Sequence, residues 1–443
     1  VKRRVRRDLA LLLGGATVST IGSSVTLIAV LLHVRPLGPL WVALVLAASL
    51  LPFVVLSPVS GLLADRLPNR QLLATTLSLE AVAILAVTWF GLGEGQEVVL
   101  VVGLVLAGCA AAITNPTVSA LIPAISGEAG ATRAYGYAAS LNQGGLLAGA
   151  ALAGVLVHTL GTRGALLVDA ATFIVMGAAV LLLRTQRQVG VATTREGTRP
   201  RRGWPRQETW SGFTLLARDT LLRIVIPGLA VLILVSIVVN IAEVFFLVED
   251  LGVNPIGYGL ITACWPLAGV AGGWVAGRLT NDRALVVGLG VGGLAMGIAF
   301  VLAGAVATVP GVALAWCLAG AANAVQLVCI QSLVRSRVSD AHRGRAFAAM
   351  QAVLQSANVV GLIVSAPVVA ILGARTSMLA TGVATFAVAA TTFGLASYAL
   401  RRSAREQLVA ESTPAPRSPV VQVPAQAEVT SRSNETAARR SFE

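Results

Sequence analysis

Charge is what this sequence has least of. Asp, Glu, Lys and Arg make up 12% of its 443 residues, about half the share that a soluble chain carries. The shortage excludes a soluble globular enzyme and a disordered chain, both of which need a polar coat. Acids are scarcer than bases, 20 against 33, and Lys2 is the single lysine among the bases. Clusters of metal ligands or nucleophiles are missing as well. The three histidines, His33, His158 and His342, are scattered near the ends of apolar stretches. The four cysteines, Cys109, Cys264, Cys317 and Cys329, lie inside such stretches with no CxxC pair, as small buried hydrophobes do. No GxxxxGK[ST] phosphate loop occurs, so this chain alone is not an ATP-driven pump. No metal, cofactor or enzymatic centre is expected.

What remains is apolar: 56% of the residues, with a mean hydropathy of +0.81. Crossing about 30 Å of hydrocarbon takes about 20 predominantly apolar residues in a helix. Twelve windows qualify, at 9–34, 40–63, 72–92, 98–123, 134–158, 164–183, 222–248, 257–277, 284–306, 311–334, 346–371 and 376–399. The short alternating segments of an outer-membrane barrel do not occur. The expected fold class is therefore an all-α polytopic membrane protein with twelve transmembrane helices in a lipid bilayer. The first window follows Lys2, Arg3, Arg4, Arg6 and Arg7, but its 26 residues exceed a signal-sequence core, and it reads as an uncleaved helix.

Arginine sets the orientation. With the N-terminus in the cytoplasm, 30 of the 33 basic residues fall on that side, leaving Arg35, Arg163 and Arg375 outside. Cytoplasmic loops of membrane proteins are enriched in Arg and Lys, so both termini are expected in the cytoplasm and the chain in a plasma membrane. The Arg-for-Lys bias fits a GC-rich, bacterial genome. The net charge of +13 is then a topology signal and not a nucleic-acid footprint.

The segment 186–221 interrupts the pattern with seven arginines, Pro200 and Pro205, then Trp210, Phe213 and Leu216 at helical spacing. It reads as a cytoplasmic linker with a short amphipathic helix at the interface. On either side lie six windows, 1–185 and 222–400, and the tail 401–443 is rich in Pro, Ser, Ala and Arg and is expected to be disordered. An offset of 212 aligns Gly61 with Gly273, Ala64 with Ala276, Arg66 with Arg278 and Asn69 with Asn281. It also aligns Arg133 with Arg345 and Gly149 with Gly361. One offset holding over two separated blocks marks a parallel duplication of a six-helix bundle.

The turn between the second and third windows reads Gly61-Leu62-Leu63-Ala64-Asp65-Arg66-Leu67-Pro68-Asn69-Arg70. Gly61 permits close helix approach, Asp65 suits a helix N-terminus, and Arg66 and Arg70 hold the turn in water. The stretch resembles the G-x-L-A-D-R-x-x-R-R signature of the major facilitator superfamily, and the resemblance extends over 9–399. In the second half Gly277 stands in place of the Asp, beside Arg278. Asn115-Pro116-Thr117-Val118-Ser119-Ala120-Leu121-Ile122-Pro123 and Gly164-Ala165-Leu166-Leu167-Val168-Asp169 resemble the branch of drug, macrolide and siderophore exporters called transmembrane secretion effectors. Gly145, Gly149, Ala150, Ala153 and Gly154 resemble the antiporter motif G-x-x-x-G-P-x-x-G-G, with Ala150 in place of the Pro. That branch often carries an acid in the middle of the first span, where this chain reads Gly22-Ser23-Ser24. The resemblance implies two rocking six-helix bundles, alternating access and proton-coupled efflux of a small molecule by a monomer. It also implies a conformational latch at Gly61, Asp65, Arg66, Arg70 and Arg278.

A charge near the bilayer centre costs about 2.5–3.5 kcal/mol on insertion scales, so the acids inside windows are candidate proton carriers: Glu243 first, then Glu80 and Asp169. Candidate cavity residues are Ser23, Asn115, Asn142, Asn240 and Gln326, and candidate packing residues are Gly145, Gly149 and Gly154. Few charges among many Ala, Leu and Val suit an amphipathic or apolar substrate.

Overall fold

Turns of only a few residues join the long apolar helices, and their chemistry marks where each helix stops. A computed structural model of the chain describes residues 2–183, 206–339 and 342–412, the side chains at 2–3, 57–58, 61–62, 64–66, 128–129, 132, 206–211 and 403–412 excepted. Thirteen helices follow in order: α1 Lys2–Val34, α2 Pro39–Arg66, α3 Asn69–Phe90, α4 Glu97–Ser126 and α5 Glu128–Leu181. Then come α6 Arg206–Arg218, α7 Leu222–Ser236, α8 Val238–Phe245, α9 Pro255–Ala276 and α10 Asp282–Val306. The last three are α11 Val309–Arg337, α12 Arg343–Leu372 and α13 Ala374–Ser412. Asn254 and Asn281 cap α9 and α10, their side chains accepting from Gly257 N at 2.8 Å and Ala284 N at 2.7 Å, as short polar residues do at helix starts.

Eleven helical stretches among the described residues are long and apolar enough to cross a bilayer. One of them makes two passes. Gly161 inside α5 adopts φ 69°, ψ 179°, a conformation that favours glycine. Residues 149 and 169 would stand about 30 Å apart on a straight helix, yet Gly149 packs on Ile21 and Ser24 of α1 while Asp169 lies over Gly22. The arms 128–160 and 162–181 thus form a hairpin with α1 beside both, and the chain crosses twelve times. An even number of passes returns it to the side where it began; we call that side the terminus end and the other the far end.

The duplication is visible in the backbone. Gly95 and Ala307, 212 residues apart, both have positive φ, 78° and 47°. Gly161 and Gly373 repeat the match at the tips of the two hairpins, with φ 69° and 77°. In the first half α1 packs along α5, and α4 contacts α2 and α3; in the second, α11 contacts α9 and α10, and α12 contacts α7. Across the halves α5 meets α9 and α2 meets α12. The described residues up to Ala399 form one compact unit.

Three expectations are modified. The seventh window is broken: α7 stops at Ser236, and α8 gives way to a π-helical turn over Phe246–Asp250. Ser236 Oγ donates to Ile233 O at 3.2 Å, competing with the helix ladder within a β-branched run. The helix expected in the linker is α6, and it packs on α12: a methyl group at Gly212 would collide with the Arg345 carbonyl oxygen. The tail's first residues continue α13 to Ser412; its remainder, 413–443, and the basic linker before α6 lie outside the described residues.

Candidate functional site

A cavity of about 690 Å3 lies in the first half, its walls built by α1, α2, α3, α4 and both arms of α5. Three of the polar residues expected there, Ser23, Asn115 and Asn142, line it, together with Glu80 and Asp169. Asn142 Oδ1 accepts from Thr20 Oγ1 at 3.4 Å. Among the described residues, no Arg, Lys or His lines the cavity. Its volume falls in the range of about 300–1,000 Å3 that holds drug-sized molecules. The cavity extends toward the terminus end, where Ser119 and Tyr135 are exposed along its wall.

Glu80 is 4% exposed and Asp169 1%, so neither carboxyl is a surface group, and neither has an ion-pair partner among the described residues. Hydroxyls take the place of cations. Thr114 Oγ1 donates to Glu80 Oε1 at 2.6 Å and lies 2.9 Å from Thr76 Oγ1. Thr26 Oγ1 donates to Asp169 Oδ2 at 2.5 Å, and Thr172 Oγ1 lies 3.2 Å from Oδ1. Glycine makes room for this second group: a Cβ at Gly22 would collide with both Asp169 Oδ1 and Thr172 Oγ1. Asp169, carried by the sixth span, thus occupies the space over Gly22 of the first.

Thr114→Val is isosteric and removes this donor from Glu80. Leaving a buried polar group unsatisfied costs about 1–3 kcal/mol, so the variant's thermal unfolding in detergent should fall measurably. The double variant Glu80→Leu, Thr114→Val should fall by less than the sum of the singles; full additivity would dismiss the bond.

The other candidates lie elsewhere. Glu243 sits on α8, where Oε1 accepts from Trp316 Nε1 at 3.0 Å and Thr262 Oγ1 at 3.1 Å. The bonds tie α8 to α9 and α11, and Glu243 is absent from the cavity wall. Asn240 is exposed on α8. Gln326, 3% exposed, lines a separate void of about 30 Å3 between α7, α10, α11 and α13, with its Nε2 unpaired. Gly145 and Gly149 pack on Thr17, Thr20, Ile21 and Ser24 of α1, whereas Gly154 meets Pro255 and Ile256 of α9 across the halves. At the far end Arg35 Nε stands 3.7 Å from Glu249 Oε1, again across the halves. At the terminus end, α2 carries Gly61, Asp65 and Arg66 in its last turns; the side chains of Asp65 and Arg66 lie outside the described residues. Arg70 is half-buried in the first turn of α3, and the Arg278 guanidinium lies 3.4 Å over the Trp274 ring. A polar knot that the sequence did not single out joins the second half there: Arg337 Nε donates to Asp282 at 2.7 Å and Nη1 reaches Asp219 at 3.4 Å. Exposed pairs of this kind contribute little stability each.

The two halves carry their polar groups at different places. Gly149 rests on Ile21 and Ser24 as Gly361 rests on Leu234 and Ile237, which aligns the first span with the seventh; the offset of 212 aligns the others. Glu80, Thr114 and Asp169 correspond to Gly292, Gln326 and Thr381. Conversely, Glu243, Thr262 and Trp316 correspond to Val30, Leu50 and Leu104. The packing scaffold is shared, and the acids are not.

Twelve spans in duplicated halves, with a cavity among the helices of the first, define a polytopic carrier. The chain matches the family model of the Major Facilitator Superfamily over residues 9–283 and 228–433, and it belongs to that superfamily. It is 24% identical over 381 residues to the uncharacterized MFS-type transporter YfiS of Bacillus subtilis (strain 168), spanning 81% of this chain and 86% of that protein. Among solved structures it resembles the nucleoside transporter NupG, with a TM-score of 0.72 at 12% identity over 88% of this chain and 98% of that one. It also resembles a bacterial homolog of the human lysosomal transporter Spinster in an inward-facing, unoccupied conformation. There the TM-score is 0.69 at 16% identity, over 90% of this chain and 98% of that one. The chain is a multi-span membrane transporter for a small molecule.

Proposed function

We propose that this transporter works by alternating access and exports a drug-like or natural-product molecule, amphipathic or apolar, in exchange for protons. The observation that carries the reading is the cavity: a largely apolar, hydroxyl-bearing chamber at membrane depth, with two carboxyls and, among the described residues, no cation in its wall. A charge held deep in a bilayer is costly, so the charge state of such a carboxyl follows its access to water. Taking up a proton on one side and releasing it on the other then biases which way the cavity faces. Glu80 and Asp169 hold this coupling role, and Glu243 serves to tie α8 to its neighbours. The arginine distribution supports a cytoplasmic terminus end and a bacterial plasma membrane, and the cavity extends toward that end. The bundles 1–185 and 222–400 move as bodies; Gly61, Asp65, Arg66, Arg70 and Arg278 form the latch between them on the cytoplasmic side. The exporting direction rests on the likeness of Asn115–Pro123 and of the glycine-rich α5 to exporters.

Expression in an efflux-deficient bacterium should raise tolerance to some members of a panel of macrolides, dyes and other antibiotics, and a protonophore should cancel the gain. In proteoliposomes, movement of a panel member that scores should accelerate with an imposed pH gradient; a rate indifferent to the gradient would remove the proton from the reading.

A further inference from the structure

Gln326 on α11 stands where Thr114 stands in the first half, and Gly292 stands where Glu80 does. The amide of the second half therefore has no acid to meet. Its side chain crosses two adjacent glycines of α10 instead: a Cβ at Gly292 would stand 2.9 Å from Gln326 Cγ, and one at Gly293 would stand 3.0 Å from Nε2. Nε2 is buried and has no hydrogen-bond partner among the described residues, a costly state for a donor and a rare one in folded proteins. Across the same void lies Thr392 of α13, given room by Gly228 of α7, where a Cβ would stand 2.5 Å from Thr392 Oγ1. The first half has Val180 at the place of Thr392, so the packing that the halves share does not depend on a hydroxyl there. Among the described residues, Gln326 and Thr392 are the polar side chains of the wall; Leu229, Leu232, Val286 and Phe393 help to close it. The void leaves about 30 Å3 to a water's centre, and about 10–15 Å3 suffices for one molecule. Voids lined by apolar groups alone stay dry, whereas buried polar groups with such space beside them hold water.

We propose that the second half encloses an ordered water, bound by Gln326 Nε2 and Thr392 Oγ1, which ties α11 to α13. The amide N–H donates to the water's oxygen, and the hydroxyl can receive a hydrogen bond from the water or give one. A water held in this way satisfies its partners nearly as well as a direct bond. The void is far too small for a drug-sized molecule. An ion would have to exchange its hydration shell for one amide and one hydroxyl. The inference concerns the interior of one half and does not depend on the direction or coupling of transport.

Infrared spectra of the full-length protein, in a lipid film hydrated with deuterated water, should contain a narrow O–D stretching band from this molecule. The band should move when heavy-oxygen water is used, as only a vibration of water itself does. Gln326→Leu and Thr392→Val should each remove it, because neither partner holds the water alone. Thr392→Ser, which keeps the hydroxyl, and Thr391→Val, at the exposed neighbour, should retain it. Elution as a single monodisperse species shows that each variant is folded. In detergent, the change in unfolding temperature of the double variant Gln326→Leu, Thr392→Val should depart from the sum of the single changes, since the shared water couples the two sites. Absence of the band, its survival in Gln326→Leu or in Thr392→Val, or strict additivity of the unfolding shifts overturns the proposal.

Discussion

Gly154→Leu is expected to abolish transport while leaving both halves folded. Gly154 belongs to the seam where α5 meets α9 near the far end, and it has no spare volume: a Cβ there would collide with the Pro255 carbonyl and stand 2.9 Å from Ile256 Cα. Across the seam Gly259 is equally pinched, since a Cβ added there would stand 2.5 Å from the Ala150 carbonyl oxygen and 2.9 Å from Gly154 N. Small residues let membrane helices touch backbone to backbone, and these contacts join one half of the molecule to the other. A larger side chain therefore does not damage the packing inside either bundle. It wedges the bundles apart at one end. Overpacking costs about 1–3 kcal/mol, and where the obstacle is backbone the upper figure applies, which lowers the population of the far-end-closed form about a hundredfold. A carrier that cannot close one end cannot alternate. With the four native cysteines replaced, a reporter at Val253→Cys should react faster with a membrane-impermeant maleimide when Gly154→Leu is present. The control is Gly144→Ala, on the same helix, where a Cβ meets nothing within 4 Å; it should transport normally. Full turnover by Gly154→Leu would show that the seam does not close during the cycle.

The spans were legible in the sequence because twenty apolar residues with few charges have few destinations other than a bilayer. Eight of the twelve expected windows lie within a single helix, as the first does in α1 and the tenth in α11. Those ending at 92, 183 and 277 overrun their helices by one or two residues, and the seventh is divided at Ser236. The hairpin at Gly161 was legible as a pause between windows, but its geometry was not, since a positive φ leaves no mark beyond the glycine itself. The break after Ser236 was hidden for a related reason. Hydropathy sees an unbroken run from Leu222 to Val248, whereas the ladder responds to a serine back-bond and to crowding against Gly361.

The site was legible in kind and not in place. Counting acids inside windows produced Glu80, Asp169 and Glu243, because an ionisable group at membrane depth stands out against an apolar background. Choosing among them required the rotational setting of each helix. Glu80 and Thr114 lie on different spans, and no spacing within either span shows that they meet at 2.6 Å. Glu243, the first candidate by sequence, has its carboxyl turned to Trp316 and Thr262 and away from the cavity. A usable signal was present in the duplication. Glu80 and Asp169 stand against Gly292 and Thr381 in the second half, so the packing that the two copies share does not depend on them.

The same comparison, joined to the space over Gly22, leads to a swap. Asp169→Gly should lose transport, since the carboxyl and its bond to Thr26 disappear together. Gly22→Asp alone should lose it too, because any Cβ at 22 collides with Asp169 Oδ1 and Thr172 Oγ1, and a second carboxylate there adds like-charge repulsion in a low-dielectric wall. Combined as Gly22→Asp, Asp169→Gly, the two changes return one carboxyl to the same space, now carried by α1, with the vacated volume on α5 receiving it. Both thermal stability in detergent and transport should recover relative to either single variant. The coupling energy between the sites should be favourable and lie within about 0.5–3 kcal/mol, as for residues in contact. Recovery of stability without recovery of transport would mean that α5, and not merely the position of the charge, must carry the acid. Strict additivity in both readouts would mean that the two residues do not share the space over Gly22.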